Sequence, residues 1–373
     1  MQLVAYGAQD VYLTGNPQIT FFKVVYRRHT NFSTEAIEQT MNGTVAASGR
    51  TTVTVSRNGD LVGAVYVEHT GHSTVTLNES ATQLASVELE IGGQSIDKHY
   101  GHWMETWAEL TENKTGRGAG QLYQNMSGMG QGFVTNNDAV GIDNSTDAAI
   151  VWFSIPDLDS RVVYTPLQFS FCRNPGLALP LIALQYHEVK LIFQWGSTMN
   201  STDHKVFCDY HYLDTDERRR FAQVSHEYLI EQVQFVNSAS ATSHELNFNH
   251  PVKELVWTGG WTGGAVVALR AVGDTAKLVL NGHVRFSARK STYFTQAQVH
   301  AHHSGQGGFV DNSIAVYSFA LKPEEHQPSG TCNFSRIDNA RLVLSAADAL
   351  YIYAVNYNVL RVMSGMGGLA YSN

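Results

Sequence analysis

The sequence is poor in charged residues and in cysteine. Asp, Glu, Lys and Arg make up only 16% of its 373 residues, against about 25% in typical soluble domains. Acidic residues outnumber basic ones by 33 to 25, for a net charge of −8. This disfavours direct binding of DNA or RNA, sequence-specific or not, because such binding needs a basic surface. The three cysteines, Cys172, Cys208 and Cys332, have no CxxC spacing, and they indicate free thiols in a reducing compartment.

Long apolar runs are missing as well. No stretch approaches the roughly 18 apolar residues that a membrane span needs. The first residues, MQLVAYGAQDVYL, have neither the charged start nor the apolar run of a signal peptide. We therefore expect a protein that is made and folded in the cytosol. Without an export signal, the eight Asn-x-Ser/Thr sequons are expected to be ordinary loop sequence; they begin at Asn31, Asn42, Asn78, Asn113, Asn125, Asn144, Asn200 and Asn333.

The residues of strands and turns are abundant. The chain contains 32 glycines and many Thr, Ser, Asn, Val and Tyr residues, a composition that favours β-strands joined by turns over helices. A length of 373 residues allows two domains, each large enough to bury its own core. The predicted class is all-β.

A short pattern of Ser, Phe and Pro occurs twice. Ser-Phe, three residues, Pro, four residues, Pro begins at Ser170 (SFCRNPGLALP) and again at Ser318 (SFALKPEEHQP), 148 residues later. A run with alternate apolar residues follows each copy, at 188–193 and at 339–344, and such alternation predicts a half-buried strand. The repeat predicts one architecture written twice.

A hairpin signal precedes each copy. ELEIGGQSI (88–96) and KLVLNGHVRF (277–286) are alternating runs broken by Gly-Gly or Asn-Gly, which are turn residues of tight hairpins. Between Gly93 and Gly282 the offset is 189 and not 148. The first copy therefore has 41 extra residues, visible in the Gly- and Asn-rich stretch 111–149. A loop of that length is expected to be exposed or functional.

Two segments have helical patterns. DTDERRRF (214–221) begins with acids and ends with three arginines, which suits the dipole of a short linker helix; contact of the arginines with nucleic acid is the alternative. In HWMETWAEL (102–110), Trp103, Trp107 and Leu110 share one helical face and the glutamates lie elsewhere. This spacing favours a core contact over a ligand platform.

The remaining predicted elements are strands. Short strands with turns between them and almost no helix predict a sandwich or jelly roll in each half of the chain. Those of the second half are LIEQVQFV (229–236), VKELVW (252–257), IAVYSFAL (314–321) and ALYIYAVNYNVLRV (349–362).

Catalytic patterns are weak. Asp157 with Asp159, and Glu324 with Glu325, are neighbouring acids on predicted loops, and nothing in their spacing places two carboxylates across a scissile bond. No G-x-S-x-G, H-E-x-x-H or P-loop sequence occurs. We predict that the protein is not an enzyme and that it has no catalytic residue.

The best metal candidate is HAHH (300–303). His300 and His302 would share one face of a strand, and imidazole nitrogens bind zinc or copper. No third ligand is identifiable, and histidines at the start of a loop are often exposed. We predict no metal ligand and no cofactor-binding residue, and metal binding at 300–303 stays an open alternative.

Five long motifs, in order from near residue 9 to the C-terminus, closely resemble the major capsid proteins of nucleocytoplasmic large DNA viruses, a group that includes iridoviruses, phycodnaviruses and mimivirus relatives. The motifs are QDVYLTGNPQITFFKVVYRRHTNFS (9–33), VELEIGGQSID (87–97), PLQFSFCRNPGLALPLIALQYHEVKL (166–191), YSFALKPEEHQPSGTCNFSRIDNARL (317–342) and YAVNYNVLRVMSGMGGLAYSN (353–373).

This resemblance implies a double jelly roll: two eight-stranded antiparallel β-sandwiches in tandem, with short helices in loops and linker. The expected division is an N-terminal arm at 1–20, a first jelly roll at 21–212 with the long loop 111–149, a linker helix at 213–223 and a second jelly roll at 224–373. The loop 111–149 and the stretch 258–275 are the candidates for loops on the outer surface of the shell. Because the chain is short for this family, these loops are expected to project only a short way.

The resemblance also implies the function. Three copies would form a homotrimeric, pseudo-hexagonal capsomer that tiles the icosahedral shell of the virion, with assembly in the host cytoplasm. The expected partners are further copies, neighbouring capsomers, minor capsid and penton proteins, and the inner viral membrane through the N-terminal arm, where Arg27, Arg28 and His29 suit acidic partners or anionic lipid. The alternatives are a carbohydrate-binding or carbohydrate-cleaving jelly roll and a minor capsid or spike protein.

Overall fold

The architecture comes from a computed structural model, which describes residues 7–71, 79–112, 123, 126–127, 162–259, 261–262, 265–266, 275–305 and 313–371. Most of the candidate outward loop 111–149 and most of the stretch 258–275 lie outside these residues, so the position of both stays a prediction. Within 258–275, Trp261–Thr262 and Ala265–Val266 form a short antiparallel hairpin.

The first half of the chain folds as a β-sandwich. Its strands are β1 Phe32–Gln39, β2 Met41–Asn42, β3 Arg50–Thr54, β4 Leu61–Thr70, β5 Leu84–Ile91, β6 Gln94–Tyr100, β7 Val163–Pro166, β8 Leu179–Pro180, β9 Val189–Trp195 and β10 Asp203–Leu213. One sheet has the order β1-β10-β4-β7 with β8 beside β4, and the other has the order β2-β3-β9-β5-β6. The inward residues of both sheets alternate with outward ones and form one apolar core.

The second half repeats this arrangement. Its strands are β11 His226–Glu245, β12 Pro251–Thr258, β13 Trp261–Thr262, β14 Ala265–Val266, β15 Thr275–Leu280, β16 His283–Lys290, β17 Ile314–Ser318, β18 Cys332–Asn333, β19 Ala340–Met363 and β20 Met366–Leu369. Strand β11 pairs with β19 along most of its length, while the first part of β19 also pairs with β15 and its last part also pairs with β12. The strand therefore belongs to both faces of the second sandwich.

Short helices lie outside the sheets. They are α1 Val11–Thr14, α2 Glu79–Gln83, α3 Gly101–Thr111, α4 Ser170–Arg173, α5 Thr215–Gln223 and α6 Gln298–His302, with one π-helical turn at Tyr293–Ala297. The predicted helix at 214–221 is confirmed as α5: Asp214 is its N-cap and accepts from Thr215 N, and Arg220 lies in its last turn.

The predicted repeat is confirmed strand by strand. In the first half Leu89 of the hairpin lies opposite Leu191, and in the second half Leu278, 189 residues after Leu89, lies opposite Leu342. Each hairpin strand pairs with the strand that follows the Pro-x4-Pro segment, in the same register. The outer pairings repeat too, because β1-β10-β4-β7 matches β11-β19-β12-β17. Both halves are jelly rolls, so the fold is the predicted all-β double jelly roll.

Two strand predictions were wrong in detail. The runs 339–344 and 349–362 are one strand, β19, because the ladder to β11 continues through a bulge between them. The second Ser-Phe pair does not continue the predicted strand 314–321. Ser318 ends β17, where its hydroxyl donates to Ala320 O and accepts from Ala320 N, a local turn that competes with the ladder. The first segment forms the helical turn α4.

Candidate assembly site at the junction of the two repeats

Helix α3 belongs to the first repeat in sequence but packs against the second. Trp103, Trp107 and Leu110 contact the outer face of the sheet β11-β19-β12-β17, and this cluster forms the junction core. The Trp103 ring lies 4.8 Å from the Tyr353 ring, and His102 Nδ1 lies 2.7 Å from Tyr353 Oη. The tryptophan stripe is thus confirmed as a core contact, and the core that it fills joins the two halves.

The glutamates of this helix do not belong to the tryptophan face, yet two of them are buried as well. Glu105 and Glu109 are each only 2% exposed. Every residue from Gly101 to Leu110 is buried, because the helix is covered by both repeats and has no solvent side. A helix in this position suits a rigid junction, since either repeat alone would leave much of it exposed.

A buried charge cluster lies beside this helix. Arg173 Nη2 donates to Glu231 Oε2 at 2.6 Å, and Lys253 Nζ lies 2.8 Å from the other carboxylate oxygen of Glu231. The second approach is close but is not aligned as a hydrogen bond. The Lys253 side chain is 0% exposed. Burial lowers the pKa of its ammonium group, against the opposite pull of the Glu231 and Glu254 carboxylates.

The serine of the first repeated motif ties this cluster to the backbone of the second repeat. Ser170 Oγ donates to Glu231 O at 2.7 Å and accepts from Glu231 N at 2.8 Å. The Ser170 hydroxyl therefore provides a hydrogen-bond partner for both the N–H and the C=O group of the buried residue Glu231. The Arg173 guanidinium also lies 5.0 Å above the Trp107 ring, within the range of a cation–π contact.

A second charged group involves the second repeated motif. His303 Nε2 lies 2.9 Å from Glu254 Oε2, and His303 Nδ1 lies 3.0 Å from Glu324 Oε1. Burial acts to lower the pKa of His303, but the two carboxylates outweigh it and raise the pKa to about 9. Burial also acts to raise the pKa of Glu324, while its bonds to His303 and Ser304 lower it overall. The imidazolium is therefore the stable form of His303 near neutral pH.

The chain around His303 also caps helix α3. Gly305 N donates to Leu110 O at 2.7 Å, and Ser304 Oγ donates to Thr111 O at 2.7 Å. The last carbonyl groups of a helix have no hydrogen-bond donor inside the helix, and here the second repeat supplies donors for two of them. A Cβ atom on Gly305 would lie 2.4 Å from Glu109 O, which explains why the chain has glycine at this close approach.

The two Pro-x4-Pro segments face each other across a cleft of about 400 Å³. The first segment lines it with Arg173, Asn174 and Pro175, the second with Glu324 and His326. Trp107 and Glu231 also line the cleft. The repeated motif thus brings its two copies together at the junction, where they supply charges of opposite sign.

The other candidate residues are not brought together in the part of the chain that the structure describes. Glu325 pairs with Lys322 at the surface, at 2.7 Å, and Asp157 and Asp159 lie outside the described residues. His300 and His302 are on helix α6 and not on a strand, because the chain after the hairpin turns helical here as it does at α3. Among the residues that the structure describes, no group of three or more His, Cys, Asp or Glu side chains is placed to hold a metal ion.

The basic candidates have ordinary surroundings. Arg218 Nε donates to Asp60 Oδ1 at 2.7 Å, and Arg219 and Arg220 are exposed on α5. The N-terminal segment 7–31 is exposed along nearly its whole length, with Phe22 99% exposed. In the described part of the chain, no helix is both long enough and apolar enough to cross a membrane.

Sequence reasoning missed most of the junction. Glu231, Lys253 and Glu254 were placed on strands without a role. The available signal was a charged pair in the middle of the apolar run VKELVW, since a buried strand holds charge only where a partner neutralises it. Their partners are distant in sequence, 61 residues away for Ser170 and Glu231, and no local pattern links them.

Two family models together match nearly the whole chain. "Major capsid protein N-terminus" matches residues 20–216, and "Large eukaryotic DNA virus major capsid protein" matches residues 217–259 and 269–368. The chain is 51% identical to the major capsid protein of Pyramimonas orientalis virus, with 100% of this chain and 99% of that protein covered. It is 42% identical to the major capsid protein of Paramecium bursaria Chlorella virus 1, with the same coverage.

Solved structures agree. A chain in a quasi-atomic model of the PBCV-1 virus capsid matches with a TM-score of 0.77 and 38% identity, over 95% of this chain and 100% of that one. The Faustovirus major capsid protein matches with a TM-score of 0.70 over 96% of this chain and 94% of that one. At 10% identity, this second likeness concerns the fold alone.

Proposed function

The chain belongs to the major capsid protein family of large eukaryotic DNA viruses, and we propose that three copies of it form one pseudo-hexagonal capsomer of an icosahedral shell. It is a structural protein of the capsid shell and not an enzyme. The observation that carries the trimer is the joining of two jelly rolls of one topology by a buried, charge-linked core. Three chains of two similar halves supply six similar edges, and a closed ring leaves none of them unpaired.

The junction gives this proposal a physical basis. If the two jelly rolls of a subunit moved freely, the angle between them would not be fixed, and three subunits in a ring would not keep a hexagonal outline. Here helix α3 is covered by both halves, and Arg173 of the first half pairs with the buried carboxylate of Glu231 in the second half at 2.6 Å. Buried charges need fixed partners, so the junction favours one relative orientation.

We further propose the division of the chain along this junction. The arm is 1–20, the first jelly roll 21–212, the linker helix 213–223 and the second jelly roll 224–373. The observed helix Thr215–Gln223 and the change of family model between residues 216 and 217 support it.

The N-terminal arm, together with the exposed segment 21–31 that leads from it into the first jelly roll, is proposed to face the inside of the shell, toward minor capsid proteins and the viral membrane. Phe21, Phe22 and Tyr26 are more than four-fifths exposed and are interleaved with Lys23 and Arg27. Such a segment supports contact with a partner surface, because large exposed apolar side chains mark interaction sites. Assembly in the host cytoplasm and contact with neighbouring capsomers and penton proteins complete the proposal. No observation in the described residues favours a carbohydrate-binding role.

The mass of the purified protein in solution tests the trimer. Light scattering at near-neutral pH and moderate salt is expected to give three times 41.1 kDa, about 123 kDa. Electron microscopy of the same sample is expected to show particles with a hexagonal outline and threefold symmetry. A folded monomer of 41.1 kDa across the concentrations of assembly would contradict the proposal.

A further inference from the structure

Inside the chain, the two repeats meet along two sheet edges. Strand β6 is the end strand of its sheet in the first repeat, and among the described strands β11 pairs with β19 alone in the second. Val233 N donates to Asp97 Oδ1 at 3.1 Å, and the Gln232 side chain donates to Ile96 O. The rings of Tyr100 and Phe235 lie 4.7 Å apart. An edge that could bind a foreign strand is closed here by the other half of the chain.

Each of these edges has an equivalent with which no further described strand of the chain pairs. Strand β16 occupies in the second hairpin the place of β6 in the first, because β15–β16 repeats β5–β6. Strand β1 occupies the place of β11, because each is the first strand of its repeat and pairs with the last. Both β16 and β1 are end strands of their sheets.

Exposure separates the used edges from the open ones. In β6, three of seven residues are buried, Ile96 and Asp97 among them. In β16, seven of eight residues are exposed on both faces and only Phe286 is buried. Strand β1 is similar, with six of eight residues exposed. Apolar side chains are among these, since Phe32 is 55% and Val284 53% exposed.

The two open edges have opposite charge. Strand β16, HVRFSARK, contains Arg285, Arg289 and Lys290, and no Asp or Glu occurs anywhere in 275–303. Strand β1, FSTEAIEQ, contains two acids and no base. The acids Glu35 and Glu38 are both exposed. The strands are of equal length, eight residues each.

We propose that β16 of one copy lies against β1 of a second copy, so that the contact between β6 and β11 inside the chain recurs at the subunit boundary. The inference rests on the proposed trimer and names the surfaces that form it. The contact joins two different edges, and such head-to-tail contacts close into a ring when the rotation allows. Opposite charge favours β16 against β1 and disfavours either strand against itself.

Charge reversal on each edge tests the proposal. Arg285→Glu/Lys290→Glu makes β16 acidic, and Glu35→Lys/Glu38→Lys makes β1 basic; Arg289 is left alone because it stacks on Tyr293 at 4.4 Å. Each pair alone is expected to lower the mass from trimer to monomer and to weaken association at least 100-fold. All four changes in one chain swap the charges and return the net charge to −8, and this variant is expected to form trimers again.

Two controls accompany these variants. Arg219→Glu/Arg220→Glu changes the net charge as the β16 pair does, but on the exposed helix α5, and is expected to leave the trimer intact. Carbodiimide cross-linking of trimers assembled from light and ¹⁵N-labelled chains is expected to join Lys290 of one chain to Glu35 or Glu38 of another. This readout uses the unmutated protein and therefore decides the matter if a variant fails to fold.

The outcomes separate the inference from the function on which it rests. An unmutated protein that stays monomeric overturns both. A trimer that both reversed pairs leave unchanged, or that yields no cross-link between these strands, overturns the inference and leaves the trimer standing. If each double variant is monomeric and the variant with all four changes is monomeric too, the inference is also overturned, since the two strands would then not face each other. Loss of the trimer in each double variant, with trimers formed again by the variant that has all four changes, supports the inference.

Discussion

The guanidinium group of Arg173 lies 2.6 Å from the carboxylate of Glu231, and the two residues belong to different jelly rolls. Glu231 is also the counter-ion of Lys253, whose side chain is fully buried. A single carboxylate therefore neutralises one cation from each repeat. Removing one member of such a group leaves another charge buried without a partner, which costs more than the pair contributes when it is intact.

Glu231→Gln is accordingly expected to lower the free energy of unfolding by about 3–5 kcal/mol. The amide keeps the shape of the side chain but leaves Lys253 without its counter-ion. Urea unfolding followed by tryptophan fluorescence measures the loss. The matched control is Glu227→Gln, the same change in an exposed pair with Arg361 at 2.8 Å, for which about 0–1 kcal/mol is expected. Equal losses in the two variants would contradict a special role for the buried charge.

His303 makes the junction sensitive to alkaline pH. Its pKa is about 9 in the folded protein and about 6.5 in an unfolded chain, so the folded state binds the proton more tightly. The stabilisation is complete below pH 6.5 and is lost as the pH rises through 9. Thermal unfolding between pH 6 and 9.5 is expected to show a falling midpoint that His303→Gln removes. A variant with the same pH dependence as the unmutated protein would show that another group titrates.

The chain contains sixteen histidines, and this number alone raises the hypothesis that acidification loosens the contacts between capsomers. The pH dependence of His303 is relevant to that hypothesis. His303 does the opposite within a subunit, since acid keeps its imidazolium between Glu254 and Glu324. Loosening between capsomers stays a prediction, and dissociation measured between about pH 7.5 and 5.5, where ordinary histidines titrate, decides it.

Gly305→Ala is expected to weaken the docking of helix α3. The added methyl group would lie 2.4 Å from Glu109 O and 2.5 Å from the Leu110 backbone, and backbone atoms cannot swing aside. Overpacking of this kind costs about 1–3 kcal/mol. The control is Gly176→Ala, whose nearest contact is the Asn174 side chain at 3.2 Å. Thermal melting compares the two, and an unchanged midpoint for Gly305→Ala would contradict the close approach.

The two serines of the repeated motif are expected to differ in importance. Ser170→Ala leaves both backbone groups of buried Glu231 without their partner, which costs about 1–3 kcal/mol for each such group. Ser318→Ala loses only bonds to its own turn at Ala320. Denaturant unfolding of both variants measures the difference. Equal effects would mean that the bond between the repeats adds nothing beyond a local turn.

The fold was largely predictable because its signals are local and occur twice. Alternating runs around Leu89 and Leu278, each broken by turn glycines, were enough to predict both hairpins, and the offset between them matches the observed register. Where one local signal competed with another, prediction failed. The hydroxyl of Ser318 ends β17 before the apolar pattern of IAVYSFAL ends.

The junction could not be predicted in the same way. Trp107 was predicted to lie in a hydrophobic core. Its helical spacing cannot indicate whether that core belongs to the first or the second jelly roll, because the apolar face would have the same pattern in either case. The spacing also gave no sign that Glu105 is buried, because it separates the glutamates from the tryptophan face and cannot show that the helix is buried along its whole length. The partners of Glu231 lie on α4 and β12, and only the arrangement of the two sandwiches brings these elements together.

Strand β19 gives the second jelly roll an unusual mechanical character. Its 24 residues have a contour length of roughly 80 Å at about 3.3 Å per residue, and β11 pairs with it along most of that length. A force directed along this strand would load many hydrogen bonds in shear at once, whereas a force across it would open them one at a time. The second half of each subunit is therefore expected to be stiff along one axis and yielding across it, so that its resistance to load depends on direction.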